Sequence, residues 1–288
     1  QTLNNLANLY SKTQRLTESE KMYMEALEIR RRLAKDNPKA YEPDVAGTLN
    51  NLALLYSHTQ RFTESEKMYM EALEIRRRLA KDNPEAYEPD VAQTLNNLAN
   101  LYYNTQRPTE SEKMYMEALE ILRRLAKDNP KAYEPYVAMT LYNLALLYYK
   151  TQRLTESEKM YMEALEIYKR LAKDNPKAYE PDVAGTLNNL AILYYNTQRP
   201  TESEKMHMEA LEIRRRLAKD NPKAYEPDVA KTLGALGVLY YFDMGQESKG
   251  ETLLRQVLEY YRRFAIDNPK EYNPKVEMLE GLLNNENQ

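Results

Sequence analysis

Six threonines, Thr2, Thr48, Thr94, Thr140, Thr186 and Thr232, stand 46 residues apart, and each opens a Thr-Leu segment whose surroundings recur five times nearly unchanged and a sixth time in altered form. No residues are left over between copies. A fixed period of this size specifies stacked supersecondary units, because one short unit cannot bury its apolar face alone and does so only against its neighbours. The chain is therefore expected to be a solenoid rather than a body around one central core.

The stretch from Pro43 to Asn83 shows the content of one copy. Val45, Leu49, Leu52, Ala53 and Tyr56 recur at helical spacing, and Pro43, with fixed φ and no N–H, suits the first position of that helix. Gln60-Arg61 breaks the pattern. Thr63-Glu64-Ser65-Glu66 then reads as a capping box opening a second helix, preceded by Pro108 and Pro200 in two other copies. That helix carries Met68, Tyr69, Ala72, Leu73, Ile75 and Leu79 inward and stops at Asn83-Pro84, where the residue before proline is pushed out of the helical region. The expected organisation is one all-α array over residues 1–288, with copies at about 1–38, 43–84, 89–130, 135–176, 181–222 and 227–269. Pro274 to Leu283 reads as a single closing helix and Asn284 to Gln288 as a polar tail. The sixth copy differs at Gly234, Ala235 and Gly237, has Leu253-Leu254 for Met-Tyr, and holds one extra residue around Met244-Gly245-Gln246. An atypical terminal copy is expected where an array must cover its last apolar face. Ahead of Gln1 an equivalent of Glu42-Pro43-Asp44-Val45-Ala46 is missing, so the chain is expected to be a piece of a longer protein.

Composition narrows the function classes. With no cysteine there is neither a disulfide framework nor a thiolate site, and a net charge of −3 supplies no basic field for nucleic acid. No run reaches the roughly 18 apolar residues that a membrane span needs. Met68-Tyr69-Met70 and its copies read as flexible core filler rather than a metal motif. His58 and His207 lack the partners of a general base or a zinc ligand. Arg30-Arg31-Arg32 and its copies read as solvated ion pairs with Glu28 and its neighbours one turn away. No catalytic residue, metal site or cofactor is expected.

The pair Leu49-Asn50-Asn51-Leu52-Ala53-Leu54-Leu55-Tyr56 and Glu71-Ala72-Leu73-Glu74-Ile75 resembles a tetratricopeptide repeat, most of all the long variety of kinesin light chains. In that variety the linking segment resembles Asp-x-Pro-Asp-Val-Ala, whose two ends are matched here by Asp82-Asn83-Pro84 and Pro89-Asp90-Val91-Ala92, with Glu85-Ala86-Tyr87-Glu88 between them. Two departures stand out. The turn has Gln60-Arg61 where the family has Gly, and Ser65 holds the place of a small residue early in the second helix, which predicts looser packing there. The resemblance implies a right-handed superhelix whose first helices line a concave groove for peptides or protein segments.

The copies point to the same surface by themselves. Between the Val of Pro-x-Val-Ala and the turn, the fourth copy differs from the others among the first five only at Met139, Tyr142, Leu146, Tyr149 and Lys150. At ~100° per residue these share one side of the helix, opposite the invariant Leu141, Leu144, Ala145 and Tyr148. This edited stripe reads as the ligand surface; the alternative is a face that merely meets water. Asn5, Asn51, Asn97, Asn143 and Asn189 form a ladder at its margin. A second ladder, Asn4, Asn50, Asn96 and Asn188, is interrupted by Tyr142. Asparagine carries donor and acceptor and can pair with an extended backbone, as groove asparagines do in the family, or instead bond neighbouring helices to each other. Asn100 belongs to the same surface. Tyr103, Tyr149, Tyr195 and Tyr241 replace Ser11 and Ser57, which places aromatic anchoring toward the C-terminus. The Lys and Arg set with which the chaperone-binding version of the fold grips a terminal carboxylate is not matched: the stripe has only Lys12, Lys150, Lys231 and His58.

The expected function is a non-enzymatic scaffold, cytoplasmic, that holds a protein or peptide ligand in the groove, with no nucleic acid or membrane partner. The alternative is a structural or sensor arm of a larger signalling protein that contacts its own domains or self-associates.

Overall fold

The computed structural model describes residues 2–284. Helices follow one another along the chain: α1 (Thr2–Lys12), α2 (Leu16–Asp36), α3 (Pro38–His58), α4 (Phe62–Asp82), α5 (Pro84–Asn104), α6 (Pro108–Asp128), α7 (Pro130–Lys150), α8 (Leu154–Asp174), α9 (Pro176–Asn196), α10 (Pro200–Asp220), α11 (Pro222–Val238), α12 (Glu247–Asp267) and α13 (Pro269–Asn284). Among the described residues there is no strand. The fold is an all-α solenoid of helix hairpins. Contacts group the chain into an N-terminal half, residues 1–153, and a C-terminal half, residues 154–288.

The first helix of each copy begins at Pro38, Pro84 and their equivalents, not at Pro43 as the sequence pattern suggested. Asn37 accepts the Ala40 N–H at 3.3 Å as N-cap and Pro38 takes the first helical position, so Asn-Pro both ends one helix and starts the next. Pro43 lies inside, where its lost N–H bond is tolerated. The segment expected to link the copies is thus helical. Its Glu42 and Glu88 accept from Arg78 at 2.7 Å and from Arg124 at 2.6 Å, across each hairpin. The closing helix likewise begins at Pro269 rather than Pro274 and takes in Asn284; the rest of the expected tail, 285–288, lies outside the described residues.

The capping box does not form. The second helix starts at Phe62, two residues earlier than the box requires, so Thr63 is already inside it and no side chain caps the N-terminus. Arg61 instead donates to Glu64 at 2.9 Å, and Ser65 donates to the Ala53 carbonyl at 2.7 Å while fully buried. Ser19, Ser111 and Ser203 repeat that bond. Packing at this point is close, contrary to the expected looseness. The last copy has Gly250 against Gly237, and a Cβ on Gly250 would stand 2.7 Å from the Gly237 oxygen.

The turns explain the missing glycine. Gln14, Gln60, Gln106, Gln152 and Gln198 adopt φ between 56° and 61°. Arg61 N–H bonds the Tyr56 oxygen at 2.8 Å and Gln60 N–H the Ser57 oxygen at 3.1 Å, which is a Schellman ending with glutamine in the left-handed position, at a cost of roughly 1 kcal/mol. Gly245 takes that position in the sixth copy. The extra residue there is absorbed upstream of the turn, in a π-helical stretch Leu239–Asp243.

Successive copies are joined by clamps built from the same residues. Arg61 lies over the Tyr56 ring at 4.1 Å, and both donate to Glu20 of the preceding copy, at 2.8 and 3.0 Å. Arg107 and Tyr102 on Glu66, and Arg199 on Glu158, repeat the arrangement. In the arginine triplets the first two residues form a second joint and the third pairs within its own hairpin, rather than making intrahelical pairs. Arg76 is 5% exposed and donates to the Asp90 carbonyl at 2.9 Å and to Thr94 at 2.5 Å in the next copy; Arg77 reaches Glu117 and Arg78 reaches Glu42. Where the third copy has Leu122, the buried Thr140 bonds Asn96 instead. Met70 and its copies Met24, Met116, Met162 and Met208 are about half exposed, so only the preceding methionine of each pair, such as Met68, packs against the core.

Candidate functional site

In the N-terminal half, α3, α5 and α7 lie side by side and bear two clefts. One, of about 340 Å³, is walled by Leu54, His58, Asn97, Asn100, Tyr103, Asn143 and Leu146, with Tyr69 and Tyr115 rising from the second helices behind. The other, of about 570 Å³, is lined by Asp90, Gln93, Asn96, Asn97, Tyr133, Tyr136 and Met139, with Leu122 behind. Asn97 belongs to both. Of the edited stripe, Leu146 lines the smaller cleft and Met139 the larger.

The side chains are held in different ways. Asn97 donates to Asn50 at 3.2 Å, which fixes its amide where it lines both clefts. Asn100 accepts from the Tyr115 hydroxyl, and burial pushes the Tyr69 and Tyr115 phenols upward, so both stay neutral. The Lys150 ammonium sits 4.4 Å from the Tyr103 ring centre, closing one end with a cation over an aromatic face. Asn143 lines the smaller cleft and Met139, exposed, the larger.

Other predicted residues are placed elsewhere. Asn50 and Asn96 are buried, and Asn96 exchanges bonds of 2.9 and 3.1 Å with Thr140, so these two rungs belong to the frame and not to an exposed ladder. Their position faces the next copy, which a helical wheel of one copy does not reveal. Asn51, Tyr142 and Tyr149 are half-buried and line neither cleft. In the C-terminal half Asn188 accepts from Arg214 at 3.3 Å, and Asn189 is half-buried. Sequence reasoning missed Tyr136, Gln93 and the Tyr69 and Tyr115 walls. Tyr136 was signalled by standing where other copies have Asp44, Asp90, Asp182 and Asp228.

The C-terminal half has its own cleft, about 230 Å³, lined by Ile192, Tyr195, Ser203, His207, Gly234, Ala235, Val238 and Leu239. Tyr195 is exposed at its rim and bonds Asp243. His207 is 3% exposed, and its Nδ1 has no hydrogen-bond partner. Burial, and secondarily the charge of Arg214, push the imidazole down to about 4, so it is neutral at physiological pH.

Among the described residues no group of three or more His, Cys, Asp and Glu side chains could hold a metal ion, and no helix is long and apolar enough to cross a membrane.

Comparison with known proteins agrees with this architecture. No curated protein matches the chain. Among solved structures it is similar to BtubC (BKLC) from P. vanneervenii, at 26% identity and a TM-score of 0.68, over 88% of this chain and 92% of that one. It is similar also to a putative kinesin light chain of P. anserina with nearly identical repeats, at 15% identity and TM-score 0.57, over 75% and 94%. A third likeness is to the Rap conjugation gene regulator of plasmid pLS20 in complex with the Phr* peptide, at 17% and 0.52, over 85% and 60%. The tetratricopeptide-repeat family model matches residues 1–38, 45–85, 91–130, 137–176 and 183–222, five of the six copies, and the chain belongs to that family.

Proposed function

We propose that the chain is a non-catalytic scaffold that holds an extended peptide or a partner's segment in the groove over α3, α5 and α7. The observation that carries this is the sorting of polar groups. Glu20, Glu66 and Arg76 are spent joining copies, whereas Asn143 and Gln93, with Asn97 beside its bond to Asn50, line clefts walled by Tyr103, Tyr133 and Tyr136. Amides that offer donor and acceptor hold a backbone of any sequence, and the aromatic walls select its side chains. The peptide in the pLS20 regulator supports the proposal by likeness of fold.

Titration of a peptide library against the parent and Tyr103→Ala tests it. A buried aromatic anchor is worth ~2 kcal/mol or more, so selected peptides should bind at least tenfold more weakly to the variant, with melting unchanged. Equal affinities would remove the groove from the account.

A further inference from the structure

The larger cleft of the N-terminal half stands at a joint where both charges have been replaced. In copies one, two and five the first arginine of the triplet meets an aspartate of the next copy. Arg30 and Arg76 approach the Asp44 and Asp90 carboxylates at 3.5 and 3.8 Å, and Arg214 donates to the Asp228 carbonyl at 3.3 Å. Between copies four and five only the arginine is replaced, which leaves Tyr168 with Asp182; between copies three and four both partners are, by Leu122 and Tyr136. Met139, one turn beyond Tyr136, stands where other copies have Gly47, Gln93, Gly185 and Lys231. Three departures from the repeat, each toward an apolar or aromatic side chain, thus fall on one cleft of about 570 Å³.

A joint that had merely been repacked would bury what it gained. Leu122 is 3% exposed, but Tyr136 and Met139 are 51% and 38% exposed, three and six residues beyond Tyr133 in the same cleft wall. Such apolar surface costs free energy in water until something covers it. The polar groups beneath are already paired: Asn96 donates to Thr140 at 2.9 Å, and Thr140 donates to the Tyr136 carbonyl at 2.8 Å. Asp90 is the one charged residue lining the cleft, and Arg76 faces it at 3.8 Å. A charged side chain entering here would lose water and find no spare counter-charge. An uncharged, apolar one matches both the walls and the floor.

We infer that this cleft takes a large apolar side chain of the bound segment against Tyr133, Tyr136 and Met139, while Gln93 and Asn97 hold the adjoining backbone. This rests on the peptide-scaffold reading and adds to it the class of residue selected and the place that selects it.

N-acetylphenylalaninamide and N-acetylargininamide are titrated against the full chain by NMR of the probes. The Met139 methyl signal, assigned through Met139→Gln, reports the place of binding. The phenylalanine probe should move that signal and bind roughly tenfold or more tightly than the arginine probe, the effect of covering one large apolar side chain. Leu122→Arg combined with Tyr136→Asp rebuilds the charge pair of the preceding joint and should abolish the preference with melting unchanged. Met139→Gln, which places the residue of copy three at an exposed position, should reduce the preference about threefold. Equal binding of the two probes, an unmoved Met139 signal, or a preference that survives Met139→Gln would overturn the assignment. A double variant that melts like the parent and keeps the preference would do the same. Neither probe needs the smaller cleft, where Tyr103→Ala tests the scaffold reading, so the two failures are told apart.

Discussion

His207 makes a pH-dependent weakness that one substitution should remove. Its imidazole is buried among Ile192, Val238 and Leu239, with Arg214 nearby and the Tyr195 phenol at the rim, and its pKa falls from 6.5 to about 4. The unfolded chain therefore takes up the proton first. Stability is fully present above about pH 6.5 and is lost as pH falls toward 4. At ~1.4 kcal/mol per pH unit the full gap is worth about 3 kcal/mol, and about 2 kcal/mol of it should be gone by pH 5. Glu64, Glu110 and Glu202, held below the usual carboxylate range by Arg61, Arg107 and Arg199, also lose charge in acid, so the comparison must be with a variant that keeps them. His207→Tyr does. Urea unfolding of both proteins at pH 7.5, 6 and 5, followed through amide signals of α10 and α11, should show a stability difference that widens by about 2 kcal/mol between pH 7.5 and 5. A difference that stays constant with pH would mean that His207 is hydrated or paired in the folded protein, and the cleft described around it would be wrong.

Three further outcomes concern a joint between copies and two glycines. Arg76→Leu should change stability by no more than ~1 kcal/mol, since the third copy already carries Leu122 there, whereas Thr94→Val should cost ~1.5–3 kcal/mol by removing one acceptor of a buried guanidinium that keeps only the Asp90 side; urea midpoints of the two variants check this. Gly250→Ala should cost ~1–3 kcal/mol, because its Cβ would press on the Gly237 oxygen and the Tyr241 backbone at 2.7 Å, and thermal melts would detect it. Gly47→Ala, with nothing within 4 Å of the new Cβ, should instead stabilise α3 by ~0.5–1 kcal/mol in the same melts.

Much of the fold was legible because the sequence repeats. The 46-residue period gave the copies, and the invariant Leu141, Leu144, Ala145 and Tyr148 are all in the core as their spacing required. Helix boundaries were less legible. Pro43 and Asn37-Pro38 are competing start signals five residues apart, and the Asn37 cap on Ala40 with the hairpin contact of Glu42 with Arg78 shows which one the chain uses. Contacts between copies were hidden in principle: Glu66 looked like half of a capping box because its partners, Tyr102 and Arg107, lie 36 and 41 residues away. The same blindness placed Asn50 and Asn96 on the surface.

The most direct test of the scaffold account is the affinity and melting of Asn97→Ala combined with Asn143→Ala, measured against a peptide selected on the parent. Both amides line the groove, and Asn97 makes one neutral bond to Asn50, so little stability depends on them. At ~0.5–1.5 kcal/mol per hydrogen bond the double variant should bind roughly fivefold to a hundredfold more weakly while melting within a few degrees of the parent. Unchanged affinity with a lowered melting temperature would contradict the account, making the asparagine ladder part of the frame and the groove a surface without a ligand.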